Sequence, residues 1–158
     1  MTFFLLSTLI AQPELPARDE ILREVHSIAS PGVPGTVVPI GPRSFTLAYG
    51  REGKGQVPVA AGGHAGDGRV IVFGHGSYLA SFQIKDTGRL LLNGVKWASR
   101  GRTALVVGQD GLADYLAAAG IKVQQMKEVP KLDPFRHCLV TGAEAISPAL
   151  AEEIRSFL

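Results

Sequence analysis

The chemistry this sequence could perform gathers around Gly74-His75-Gly76-Ser77-Tyr78. An imidazole beside a hydroxyl and a phenol can move protons near neutral pH, activate a nucleophile, or simply recognise a ligand by hydrogen bonding. Val70, Ile71, Val72 and Phe73 come just before it and read as a strand buried on both faces. The imidazole is therefore expected at the rim where that strand leaves its sheet. The flanking glycines allow a tight exit and leave main-chain amides uncovered. Two uses of His75 stay open. It contacts a ligand together with Gly76, Ser77 and Tyr78, backed by Asn93, or His75 and Tyr78 brace the loop against Asn93 on the next helix.

Other candidates carry less. Ser77 is not in a G-x-S-x-G elbow, so serine hydrolysis with His75 is the lesser reading. Gly50-Arg51-Glu52-Gly53-Lys54-Gly55 lacks the spacing of a phosphate loop, and Gln56 follows where Ser or Thr would be needed. Leu79 stands where a dinucleotide fingerprint needs its third glycine, so no cofactor is expected. His64 and His75 bracket a strand about 20 Å long at roughly 3.3 Å per residue, too far apart to share a metal. His137 and Cys138 are neighbours within another strand and point to opposite faces. Cys138 continues into Leu139, Val140 and Thr141, which suits an inert buried thiol rather than a nucleophile.

Composition narrows the class. A chain of 158 residues, 46% hydrophobic and 19% charged, can bury one good core. The formal net charge of +2, with no basic run longer than two residues, argues against nucleic acid as a partner. A single cysteine excludes a disulfide framework. The apolar run Phe3 to Ala11 falls well short of the roughly 20 residues that a membrane span requires. Residues 1–12 instead suit a secretory signal, which makes the protein secreted or periplasmic, although no Lys or Arg precedes the run. The alternative is a short buried N-terminal strand in a cytoplasmic protein.

The elements that must position His75 follow from periodicity. Residues 17–29 place Ile21, Leu22, Val25 and Ile28 on one helical face. VVPI, SFTLAYG, VPVAAGG and RVIVFG form an N-terminal meander of strands up to Gly74. Residues 88–100 are helical around Leu91, Leu92, Val95 and Trp97. Beyond them TALVVG, LADYLAAAG, IKVQQMKEV, RHCLVTG and SPALAEEIRSFL alternate strand and helix, the mark of a parallel sheet with ligands beyond its strand C-termini. Ser147 and Pro148 suit the cap and first position of the closing helix. One α/β domain over residues 17–158 is expected. An open parallel sheet usually gains a strand after such a helix, so a truncated domain or a sheet completed from elsewhere is part of that expectation.

Three stretches in order, PGVPGTVVPIGPRSFTLAYG, VPVAAGGHAGDGRVIVFGHGSYL and LLLNGVKWA, resemble the N-terminal region of the TRP-channel-associated factor family. The pairing H-x-x-Y-L with L-L-N-x-V-x-W carries the likeness, on His75, Tyr78, Leu79, Leu91, Leu92, Asn93, Val95 and Trp97. The resemblance implies a flavodoxin-like three-layer sandwich of the class I glutamine amidotransferase type, with a mostly parallel sheet and without that class's Cys-His-Glu machinery. It also implies a gluzincin-type peptidase domain further along a longer polypeptide. Animal members bind a cold-sensing ion channel, a partner an exported chain has no reason to share. The expected function is a non-catalytic accessory domain that binds a small ligand or a protein. The alternatives are a Ser77/His75 hydrolase and a docking piece for a peptidase domain.

Overall fold

The computed structural model describes residues 17–33, 35–133 and 136–157. The expected signal at residues 1–12 lies outside them. A short helix α1 (Ala17–Ile21) precedes three strands, β1 (Ser44–Glu52), β2 (Gly55–Ala65) and β3 (Gly68–Phe73). One turn of helix, α2 (Ser77–Ala80), leads into α3 (Thr87–Ser99). Then β4 (Thr103–Val107), α4 (Asp110–Ala118), β5 (Val123–Met126), β6 (His137–Val140) and α5 (Pro148–Phe157) alternate, with a 3-10 turn at Ala143–Ala145.

The strands form two sheets, and this corrects the expected architecture. One sheet is antiparallel in the order β1-β2-β3, and the other is parallel in the order β5-β4-β6. A flavodoxin-like, mostly parallel sandwich of the amidotransferase type is not what forms. The cause is local. Gly53-Lys54 and Gly66-Asp67 join β1 to β2 and β2 to β3 through two-residue loops, with Gly53 and Gly66 in the left-handed region at φ 57°. Such loops fold the chain back antiparallel, whereas parallel neighbours need a long crossover. β3 is thus an edge strand of a ribbon. Its apolar run is not buried on both sides, since Val72 keeps 47% of its surface exposed.

Helix α3 ties the sheets together. Leu90 and Trp97 join Ile21, Leu47 and Ala60 in a core against the antiparallel sheet. Leu91, Leu92 and Val95 join Ala104, Val106, Leu112, Ala113 and Leu116 in a second core against the parallel one. At the helix end, Arg69 donates to the Trp97 carbonyl at 2.7 Å and lies 4.9 Å over the indole ring. Arg102 donates to the Ser99 and Ala98 carbonyls. Cations on the last-turn carbonyls satisfy acceptors that the helix itself leaves open.

Helix α1 stops at Ile21, although the apolar spacing continues to Ala29. Tertiary partners take over the backbone there. Asn93 donates to the carbonyls of Ile21 and Arg23 at 3.1 and 2.9 Å, and Glu24 turns left-handed at φ 58°. Asp86 then accepts the amides of His26 and Ser27, and Thr87 accepts that of Ala29 at 2.8 Å. VVPI is likewise not a strand. Val37 donates once, to Pro58, while Val38 and Ile40 stay 70% and 86% exposed.

Candidate functional site

The order β5-β4-β6 places β4 in the middle, with the chain leaving it first to one side and then to the other. Beyond the strand ends, such a reversal leaves a crevice between diverging loops. Here it is a shallow cleft of about 400 Å³, open to solvent on one side. His75, Gly76, Ser77 and Ala80 line it from the exit of β3, Gln109 from the exit of β4, and Glu144 from the turn after β6.

The position of His75 is fixed by close backbone packing rather than by unusual angles. The Gly74 amide donates to Val59 at 2.9 Å, and the Gly74 carbonyl accepts the Gly35 amide at 3.0 Å. A Cβ at Gly74 would overlap the Gly35 carbonyl. Gly76, by contrast, adopts ordinary right-handed helical angles, φ −61° and ψ −29°. A Cβ there would meet only Glu144 Oε2, at 3.6 Å. The chain thus needs glycine before the histidine for lack of room, and it does not need it after.

His75 is exposed, and its Nδ1 accepts the main-chain N–H of Ser77 at 3.0 Å. With Nδ1 accepting this amide, Nε2 is the nitrogen left to bond outward. A serine triad needs one imidazole nitrogen on the hydroxyl and the other on an acid. With Nδ1 given to an amide, the relay is not assembled.

Of the five residues singled out from the sequence, the structure gathers His75, Gly76 and Ser77 in the cleft. Tyr78 lies beneath them, 1% exposed and stacked on Phe73 at 5.5 Å between ring centroids. Burial pushes its phenol above the usual tyrosine range. Asn93 is elsewhere, facing a separate groove with Glu20, Arg23, Glu24, Arg89 and Lys96. It braces α1, not the loop at His75. Gln109 and Glu144 were missed by sequence reasoning. Their signal was position, just past the C-termini of strands read as parallel. Among the described residues, no three His, Cys, Asp or Glu side chains group as a metal site. Cys138 is buried, and burial pushes its thiol up to about 11, which holds it protonated and unreactive at neutral pH.

The family model described as "TRPM8, N-terminal domain" matches residues 13–158. The chain belongs to this TRP-channel-associated factor family. No curated protein and no solved structure matches it. The fold explains much of the H-x-x-Y-L and L-L-N-x-V-x-W pattern. Tyr78, Leu79, Leu91, Leu92, Val95 and Trp97 are all core. Asn93 holds the exit of α1. His75 is the one exposed member, and its own structural contact is the acceptance of the Ser77 amide by Nδ1. No helix among the described residues is long and apolar enough to cross a membrane.

Proposed function

We propose that this chain is a non-catalytic recognition module that seats a ligand or a group of a protein partner in the cleft after β3, β4 and β6. The observation that supports it is convergence: His75, Ser77, Gln109 and Glu144 come from three separate strand exits to one crevice. A reading as pure scaffold leaves that meeting of polar groups without a cause. The family's name ties it to a channel, which favours a protein as the partner, and a peptidase domain on a longer polypeptide is the narrower form of that idea. The apolar run before residue 12 favours an exported protein, secreted or periplasmic.

Fragment screening of the isotope-labelled protein by amide NMR tests the site. Hits are expected to move the Gly76, Ser77 and Gln109 amides together and to lose this effect in His75→Ala, with the melting temperature kept. Hits that cluster elsewhere, or survive that substitution unchanged, refute the module. The hydrolase alternative has its own readout. A fluorophosphonate probe is expected to leave Ser77 unlabelled, and stoichiometric labelling there would restore it.

A further inference from the structure

The charge of the cleft restricts what it can hold. Glu144 is the one formally charged side chain among the described residues lining it, and no lysine or arginine is present there. Asp110, next to Gln109 in sequence, is exposed at the start of α4 and is also acidic. The chain as a whole carries +2, so this corner runs against the net charge. An anionic ligand would meet Glu144 without a compensating cation, which disfavours it. Gln109 and Ser77 supply further oxygen acceptors beside the carboxylate, while Nε2 of His75 offers a donor to a carbonyl.

The exposed Glu144 side chain lies over Gly142. A Cβ at Gly142 would collide with the Glu144 carboxylate, so that side chain folds back over a residue with no side chain of its own. Shape gives the second restriction. Sites for free small molecules usually enclose most of their ligand. This cleft is open, and Ile146, two residues past Glu144 in sequence, stays 39% exposed. A group tethered to a larger surface suits such a place, because neighbouring contacts then supply the rest of the affinity.

We propose that the cleft receives a cationic side chain, an arginine or lysine presented by a protein partner, on the Glu144 carboxylate. This rests on the reading of the cleft as a recognition site. The guanidinium or ammonium donates to Glu144, Gln109 and Ser77, and Nε2 of His75 donates to a main-chain carbonyl of the same partner segment.

The test titrates the labelled full chain with blocked tripeptides whose central residue is arginine, glutamine or glutamate, and separately with spermidine. The arginine peptide is expected to move the Gly76, Ser77, Gln109 and Glu144 amides. Glu144→Gln should weaken it on the order of tenfold, the scale of a charge-assisted hydrogen bond. A glutamine or glutamate peptide that binds as well, or an arginine peptide indifferent to Glu144→Gln, overturns the cationic assignment and leaves the cleft as a site. Spermidine binding more tightly than the peptide overturns the protein-borne source. Silence of these amides toward every probe, with no fragment acting on them either, removes both this proposal and the recognition module.

Discussion

At the scale of single residues, Gly74 and Gly76 look alike in sequence and differ in structure. Gly74 is pressed against the Gly35 backbone, and main-chain atoms cannot swing aside as the tip of a flexible side chain can. Gly74→Ala should therefore force the loop off β2 and cost about 2 kcal/mol or more, within the usual range for overpacking. Gly76→Ala should change stability by less than about 1 kcal/mol, because its angles are helical and its space is open. Urea denaturation of both variants gives the answer, and equal losses would deny the distinction. The same scale shows how much of the site was legible. His75 could be placed because a strand visibly ends in front of it. Glu144 and Gln109 are ordinary residue types, and only the tertiary arrangement of the two sheets brings them to His75. Asn93 was misassigned because its acceptors lie 70 and 72 residues away in sequence.

At the scale of elements, alternation and punctuation predicted β1, β2, β3, β4 and the starts of α3, α4 and α5 to within a few residues. Ser147 does cap α5, its hydroxyl accepting the Leu150 amide at 3.2 Å. The shortened first helix has a clear cause. The 22–29 segment has helical spacing, yet Asp86 and Thr87 offer its amides better-placed acceptors, and long-range hydrogen bonds outweigh a weak local preference. Asp86 makes this testable by pH. The amides of His26 and Ser27 hold its carboxyl below the usual aspartate range, with the His26 and Arg89 charges helping. An unfolded chain regains the ordinary value near 3.9. The stabilisation is thus present above that value and disappears as pH falls through the lower folded one. Asp86→Ala should be less stable than the parent at pH 7, and the gap should narrow below about pH 4. Thermal melts across pH 7 to 2 decide it, and a gap that stays constant means the carboxylate charge contributes nothing.

At the scale of the whole molecule, the error in fold class came from treating the meander and the later strands as one mostly parallel sheet. Periodicity reports which faces are buried but not which edges pair, and two-residue loops commit the first three strands to a ribbon of their own. What unites the halves is α3, apolar on two sides, with Trp97 facing one core and Leu91, Leu92 and Val95 the other. Two sheets that share one central helix should melt as one unit, since neither keeps a core once that helix leaves. Trp97 is the sole tryptophan, packed on Phe45 and His64 of the antiparallel sheet, so its fluorescence reports that half. Leu112 is 1% exposed and belongs to the core on the parallel side. Leu112→Ala should cost about 2–5 kcal/mol through the cavity it leaves. If α3 couples the sheets, Trp97 fluorescence registers that full loss in denaturant and coincides with the circular-dichroism transition. Should the sheets be independent, the fluorescence midpoint stays at its parent value while the helical signal shifts. That result would reduce α3 to a linker, and the cleft would then lie between two separately folding bodies, with Glu144 and Gln109 on one and His75 on the other. Coupled unfolding is therefore also what keeps the strand exits in register, which a site assembled from both halves requires.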